Sequence, residues 1–285
     1  MNLREYQKQA KRDIYSALRK DDRAGLMMPT GAGKTHVAMD VIKDGLKQGK
    51  RITFIADRIS LIDQTHQKIY DTGMAVGVQQ GNHPCYRPSA PVPLAPVQPL
   101  ARRKHWSPAD LVIVDEFHCQ YDAVYKQMVR WNTMKWMALS ATPFTRGLAI
   151  EWRNLVTTVT TKELIDMGFL SPYVAYGHTQ PDLTNVRTRL GDFAINDMEA
   201  PCNEIVGSIA DHYAEYGEGR KALGFTVNVA HAHELAETFV KRGLRADYVD
   251  GKDTPERRDR VLSAFRGDGL DVLFNCDVMT KGMDI

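Results

Sequence analysis

The chain has 285 residues, enough for about two domains that each bury an apolar core. Hydrophobic residues make up 43% and charged residues 25%, proportions that exclude a disordered tail or a fibrous repeat. Lys and Arg number 37 against 35 Asp and Glu, a net charge of +2, so a polyanion must be held by a local basic surface rather than by the field of the whole chain.

In chain order, apolar residues at Leu3, Tyr6, Ala10, Ile14 and Leu18 predict an amphipathic helix. Gly25–Met28 reads as a strand, PTGAGKT (Pro29–Thr35) as a glycine loop, and Val37, Ala38, Val41, Ile42 and Leu46 as the buried face of the next helix. Arg51–Ala56 and Leu111–Val114 are continuous apolar runs, as expected of parallel strands buried on both faces, and Met137–Leu139 is a shorter example. Pro84, Pro88, Pro91, Pro93, Pro96 and Pro99 crowd one stretch, which predicts a stiff surface loop and not a central strand. Glycines and prolines between Arg146 and Pro201 suggest an inter-domain connection. A second alternation follows, with helices near Ile205–Tyr216, Ala230–Val240 and Pro255–Phe265 and strands at Ala222–Phe225, Ala246–Val249 and Asp271–Asn275. The expected fold is α/β, tandem parallel-sheet domains over 1–150 and 201–285 joined by 151–200, the second incomplete. The chain is therefore expected to be a piece of a longer protein.

No apolar run reaches the 18 residues that would span a bilayer, and MNLREYQKQAKRD at the amino end lacks a signal core, so a cytoplasmic protein without a membrane role is expected. Cys85, Cys119, Cys202 and Cys276 show no zinc-like spacing and read as reduced thiols.

The chemistry concentrates in two motifs. In PTGAGKT the backbone at Thr30–Gly33 can bend so that successive amides face phosphate oxygens, with Lys34 reaching the β and γ phosphates and Thr35 offering its hydroxyl to Mg²⁺. Met28 stands where the general pattern has its first glycine. In LVIVDEFH (Leu111–His118) a strand delivers Asp115 to the Mg²⁺ shell and Glu116 to an attacking water, while His118 links the γ-phosphate region to the rest of the chain or is structural.

Together with SAT (Ser140–Thr142), these motifs resemble the series of superfamily 2 helicases and translocases, in order and in spacing. The resemblance implies RecA-like domains with ATP in the cleft between them. It also implies Gln7 of LREYQ as an adenine contact, and Ser140 and Thr142 as coupling residues. IADRISLIDQ is similar to the segment whose arginine touches nucleic acid, which nominates Arg58. GFTVNVAHAHEL resembles motif IV and nominates Asn228, and NCDVMTKGMD resembles motif V, with Thr280 on nucleic acid and Gly282 and Asp284 at the nucleotide. ELIDMGFLSP (Glu163–Pro172) is similar to a connector of the RadD-like, DNA-directed branch. ARRKHW (Ala101–Trp106) suits a strand backbone and a stacked base as well as it suits a solvated charge run.

Three features depart from that series. VPLAPVQPL stands where a Ser or Thr strand contact is usual, Lys281 where a glutamate is usual, and no QxxGRxxR supplies arginine fingers. The expectation is an ATP-dependent motor on single- or double-stranded DNA, RNA being a weaker alternative, that as given binds ATP and hydrolyses it poorly. Alternatives are a duplex-translocating subunit of a restriction or repair complex and an ATP-gated binding module, with repair or replication proteins as partners.

Overall fold

The computed structural model describes residues 2–57, 59–87, 89–102, 109–131, 133–176, 184–189, 192–193, 198, 202, 206–217 and 219–276. Helix α1 (Glu5–Lys20) buries Gln7, Ala10, Ile14 and Leu18 along one stripe, the spacing the sequence presents. After it come β1 (Arg23–Met27), α2 (Lys34–Lys47), β2 (Ile52–Ala56), α3 (Ile59–Tyr70), β3 (Val76–Val78), β4 (Val92–Pro96) and α4 (Val97–Ala101). Then follow β5 (Leu111–Asp115), α5 (Asp122–Arg130), β6 (Lys135–Ser140), α6 (Leu148–Glu151), β7 (Asn154–Thr157) and α7 (Thr161–Asp166). The seven strands form one sheet in the order β3-β4-β2-β5-β6-β1-β7. Every pair is parallel, so all carboxyl ends share one rim. Helices cover the sheet, and side chains such as Phe54 and Trp136 are completely enclosed.

Two expectations need correction. The proline-rich stretch is not wholly a loop, because Val92–Pro96 is an interior strand buried at every position. Its backbone explains the tolerance. Pro91 gives its carbonyl to Ile52 in β2 and Leu94 gives its carbonyl to Gln79 beyond β3, so odd residues face β2 and even ones β3. Pro93 would donate toward β2 before that ladder begins at Leu94, and Pro96 toward β3 after that ladder ends at Leu94. Each ring withholds an amide only at a ladder end: Pro93 cannot answer the Ile52 carbonyl, but the pairing with β2 goes on from Leu94. The second correction concerns the boundary at 150: β7 pairs with β1, and the first compact unit runs from Met1 to Tyr173. The connection assigned to 151–200 therefore begins too early.

The second unit, Val174–Ile285, holds a short antiparallel pair, β8 (Thr188–Arg189) with β9 (Asp192–Phe193). It continues with α8 (Val206–Tyr216), β10 (Ala222–Phe225), α9 (Val229–Lys241), β11 (Ala246–Val249), α10 (Pro255–Arg266) and β12 (Val272–Asn275). Its parallel sheet runs β10-β12-β11 among the described residues. Asn228 caps α9 by accepting the His231 amide at 2.7 Å, and Thr254 caps α10 with Pro255 in its first turn. Phe239 of α9 packs edge-on to Phe274 of β12 and fixes that helix on the sheet. No helix among the described residues is long and apolar enough to cross a membrane.

Candidate active site

The three polar segments singled out above leave the sheet at the carboxyl ends of β1, β5 and β6. Strand β6 lies between the other two, with Ser140 registered to Met27 of β1 and Leu139 to Asp115 of β5. PTGAGKT, DEFH and SAT therefore meet on one rim, where open α/β sheets place ligands.

The loop after β1 is built around its glycines. Gly31 and Gly33 have φ of +80° and +86°. A side chain at Gly33 would put a Cβ 2.4 Å from Gln7 Nε2, so any larger residue is excluded twice, by conformation and by space. Gly33 immediately precedes α2 and its carbonyl accepts the His36 and Val37 amides at 3.0 and 3.2 Å, so the amides of Lys34 and Thr35, the first two of the helix, are the ones left to face an anion. Gln7 braces this turn. Its Nε2 donates to the Ala32 carbonyl at 2.9 Å, its Oε1 accepts the Arg4 amide at 2.9 Å, and it is 7% exposed. Tyr6 donates its hydroxyl to the same carbonyl at 3.1 Å.

Lys34 Nζ donates to the Met28 carbonyl at 3.1 Å, which leaves N–H capacity to spare. Burial pulls its pKa down, and the carboxylates of Glu116 and Asp115 push it back up. Asp115 is pushed up to about 6, first by burial and then by Glu116, against the Glu116 amide and the Lys34 ammonium. The ammonium and the acidic pair thus share one electrostatic environment. Glu116 takes φ of +49°, a strained conformation for a residue with a side chain. This turn aims its carboxylate at His118, with Oε2 at 3.2 Å from Nδ1. The same Nδ1 lies 2.9 Å from Ser140 Oγ, and that oxygen accepts the Thr142 amide at 3.0 Å. Ser140 is completely buried. A continuous chain of contacts, Glu116 to His118 to Ser140 to Thr142, joins the acidic pair to the loop after β6.

Residues 1–145 match the family described as "Type III restriction enzyme, res subunit" (ResIII). The chain belongs to that family. Residues 203–285 match "Helicase conserved C-terminal domain", so the superfamily 2 resemblance drawn from the motifs holds across both units of this ResIII chain. A "51.5 kDa protein" of a Lactococcus phage (isolate 7-9) is 25% identical over 91% of this chain and 56% of its own length. The "Type I restriction enzyme EcoAI endonuclease subunit" of Escherichia coli is 30% identical over 60% of this chain and 23% of its own length. The solved structure titled "ATP-dependent Type ISP restriction-modification enzyme LlaBIII bound to DNA" superposes with a TM-score of 0.71 at 16% identity, over 100% of this chain and 25% of that one. The chain spans little more than half of the phage protein and less of the other two.

Of the residues predicted from sequence, this ResIII chain brings Gln7, Gly31, Ala32, Gly33, Lys34, Asp115, Glu116, His118, Ser140 and Thr142 to one rim, with Thr30 exposed on the loop and Thr35 half-buried in α2. Asn228 lies in the other unit as a helix cap, and its side-chain oxygen is committed there. Arg58, Thr280, Gly282, Asp284, Lys281 and residues 103–106 of the basic stretch Ala101–Trp106 lie outside the described residues. Sequence reasoning missed Tyr6 and the Ala32 carbonyl that it shares with Gln7, because a backbone acceptor leaves no mark in a motif.

The raised Asp115 has a consequence for stability. A carboxyl whose folded pKa lies near 6 rather than at 3.8 binds its proton more tightly when folded, so the stability this one group contributes is fully present below pH 3.8 and is lost as pH rises through 6. The cost at neutral pH is on the order of 2–3 kcal/mol. Asp115→Asn, which keeps an oxygen for the Glu116 amide, is expected to melt several degrees higher than wild type at pH 7.5 in EDTA. Melting curves taken down to pH 4 should show the two proteins converging. A constant gap across that range would mean that Asp115 is not the source.

Proposed function

We propose that this chain is the motor core of an ATP-dependent superfamily 2 DNA helicase or translocase, with ATP and Mg²⁺ as its cofactors. The observation that carries this reading is the convergence of Lys34 with Asp115 and Glu116 across β6, where an electropositive loop faces an acidic pair. The donor set fits magnesium-ATP. Gly31 and Gly33 give the loop its left-handed turns without a Cβ, Lys34 has donors to spare, and Thr35 and Asp115 offer hard oxygens suited to Mg²⁺. When bound, the nucleotide supplies a phosphoanhydride whose hydrolysis releases free energy. The chain's own groups bind the phosphates through the loop amides and Lys34, and accept a proton from water at the Glu116 carboxylate. They carry the change at Glu116 outward through His118 and Ser140 to Thr142. Arg58, Asn228 and Thr280 are the proposed nucleic-acid contacts, and Gly282 and Asp284 the proposed nucleotide contacts of the second unit.

A second reading, translocation on duplex DNA without strand separation, is favoured by the res-subunit match and by the restriction enzymes among its relatives. One set of assays tests both. Phosphate release by the full-length protein is measured with single-stranded DNA, duplex DNA and RNA of equal length at one stated salt concentration, beside strand-unwinding and triplex-displacement assays. Stimulation by DNA above RNA is expected. Triplex displacement without unwinding would establish the second reading, and no nucleic-acid stimulation at all would remove the motor.

A further inference from the structure

At the amino-terminal rim of the first sheet, the side away from the phosphate loop, α1 and α2 end together over the starts of β2 and β5. Ion pairs from Lys11 to Asp40 and Asp44, and the Tyr15 hydroxyl donating to Asp44 at 3.0 Å, hold the two helices side by side. Between their last turns lies a groove of about 390 Å³. Its floor is apolar, with Tyr15 and Leu111 half-buried beside the buried Leu18, Val41 and Ile52. Gly45 adds no side chain to fill it, and a Cβ there would lie 2.4 Å from Ile52 Cδ1. The rim is charged and unbalanced. Its acidic groups are already engaged: Asp110 accepts the Arg51 amide at 2.8 Å, and neighbouring Asp22 holds Lys135 at 2.6 Å. Arg19 and Lys50 are exposed and form no ion pair among the described residues, and the same is true of Lys20, Lys47 and Arg51, which adjoin the rim in the chain. Arg19, Lys20 and Lys47 complement the negative ends of their own helices, but Lys50 and Arg51 lie beyond any helix.

We propose that this groove is the docking site for an acidic segment of a partner protein, which seats aliphatic side chains on the apolar floor and presents carboxylates to Arg19 and Lys50. A cavity of about 150 Å³ holds a benzene ring, so this one has room for more than one aliphatic side chain. Charge complementarity selects the acid. The whole chain carries only +2, so a cluster of unpaired cations around one groove is a local feature and not a share of the overall charge. The apolar floor selects a peptide over a nucleic-acid backbone, whose phosphates and sugars have nothing to bury there. A partner seated here occupies the rim opposite Lys34, Asp115 and Glu116, and can remain bound while the nucleotide site fills and empties.

The test is equilibrium binding of fluorescent probes to the full-length protein at low and at physiological salt. The first probe is a short peptide with leucines at helical spacing among glutamates. Two controls replace its leucines by serine or its glutamates by lysine, and a third is single-stranded DNA of equal charge. Only the first is expected to bind this groove, more weakly as salt rises. The double variant Arg19→Glu, Lys50→Glu should weaken it about tenfold, and Arg19→Gln with Lys50→Gln by less, with ATP binding unchanged in both. The neutral pair keeps the test valid if an acid at the end of α1 disturbs folding. Equal binding of the serine peptide would show a charged patch without a groove. DNA bound as tightly and lost through the same substitutions would make this a nucleic-acid surface. An acidic peptide that ignores both double variants sits elsewhere, and one that fails to bind at about millimolar concentration finds no site at all. Each of these results overturns the proposal, and none of them touches the nucleotide reading.

Discussion

Lys34→Ala is expected to remove ATP-dependent activity from the full-length protein, lowering nucleic-acid-stimulated phosphate release by about 10²- to 10³-fold, the scale for deleting one preorganised electrostatic donor at a reacting centre. The size follows from where the ammonium sits. It is held at the Met28 carbonyl, in a half-buried site that already lowers its pKa, so its charge is only partly screened by water. A lysine kept charged against burial costs folding free energy, and its removal should not unfold the chain. Melting temperatures of the variant and the wild type are therefore expected to agree within a few degrees. The loss should appear in nucleotide affinity as well as in turnover, because the ammonium serves both the bound and the reacting phosphate. Activity within about tenfold of wild type would take the phosphate-binding role from Lys34.

Much of this arrangement was legible in the sequence, for a physical reason. A parallel sheet covered on both faces requires unbroken apolar runs, so Leu111–Val114 and Ile52–Ala56 were visible as strands. Chemistry that follows such a run has to emerge at the strand's carboxyl end, and Asp115, Glu116 and the glycine loop are where that rule puts them. The failures have equally specific causes. Proline statistics describe an average strand, whereas in β4 Pro93 and Pro96 withhold their amides only at the ends of the two ladders, where one lost bond is tolerated. Strand β7 is four residues long and alternates between half-buried and exposed positions, so NLVT carries no signal that separates it from a loop. Gln7 and Asn228 were recognised as important polar residues, but composition cannot say what a polar group bonds. Their partners, the Ala32 carbonyl and the His231 amide, are backbone atoms. The contact between His118 and Ser140 depends on β5 lying beside β6, a neighbourhood that the spacing of two motifs does not reveal.

Glu116→Gln is expected to separate binding from turnover, which Lys34→Ala should not. Glutamine has nearly the shape of glutamate, keeps an oxygen for His118 Nδ1 and places no new demand on a backbone already held at φ of +49°. What it loses is the ability to accept a proton at neutral pH. General-base contributions of that kind are worth about 10²- to 10⁴-fold, and phosphate release should fall by that amount while ATP affinity stays within about threefold of wild type. Single-turnover phosphate release beside equilibrium binding of ATP measures the two quantities independently. The substitution has a second, opposite consequence for its neighbour. Burial raises Asp115 first and the Glu116 charge second, so neutralising Glu116 lowers the Asp115 pKa from about 6 toward the ordinary carboxylate range. ATP binding in the presence of Mg²⁺ should therefore persist to lower pH in Glu116→Gln than in wild type. A variant that lost affinity and turnover together, with no change in the pH dependence of binding, would make Glu116 a support of the loop rather than the proton acceptor.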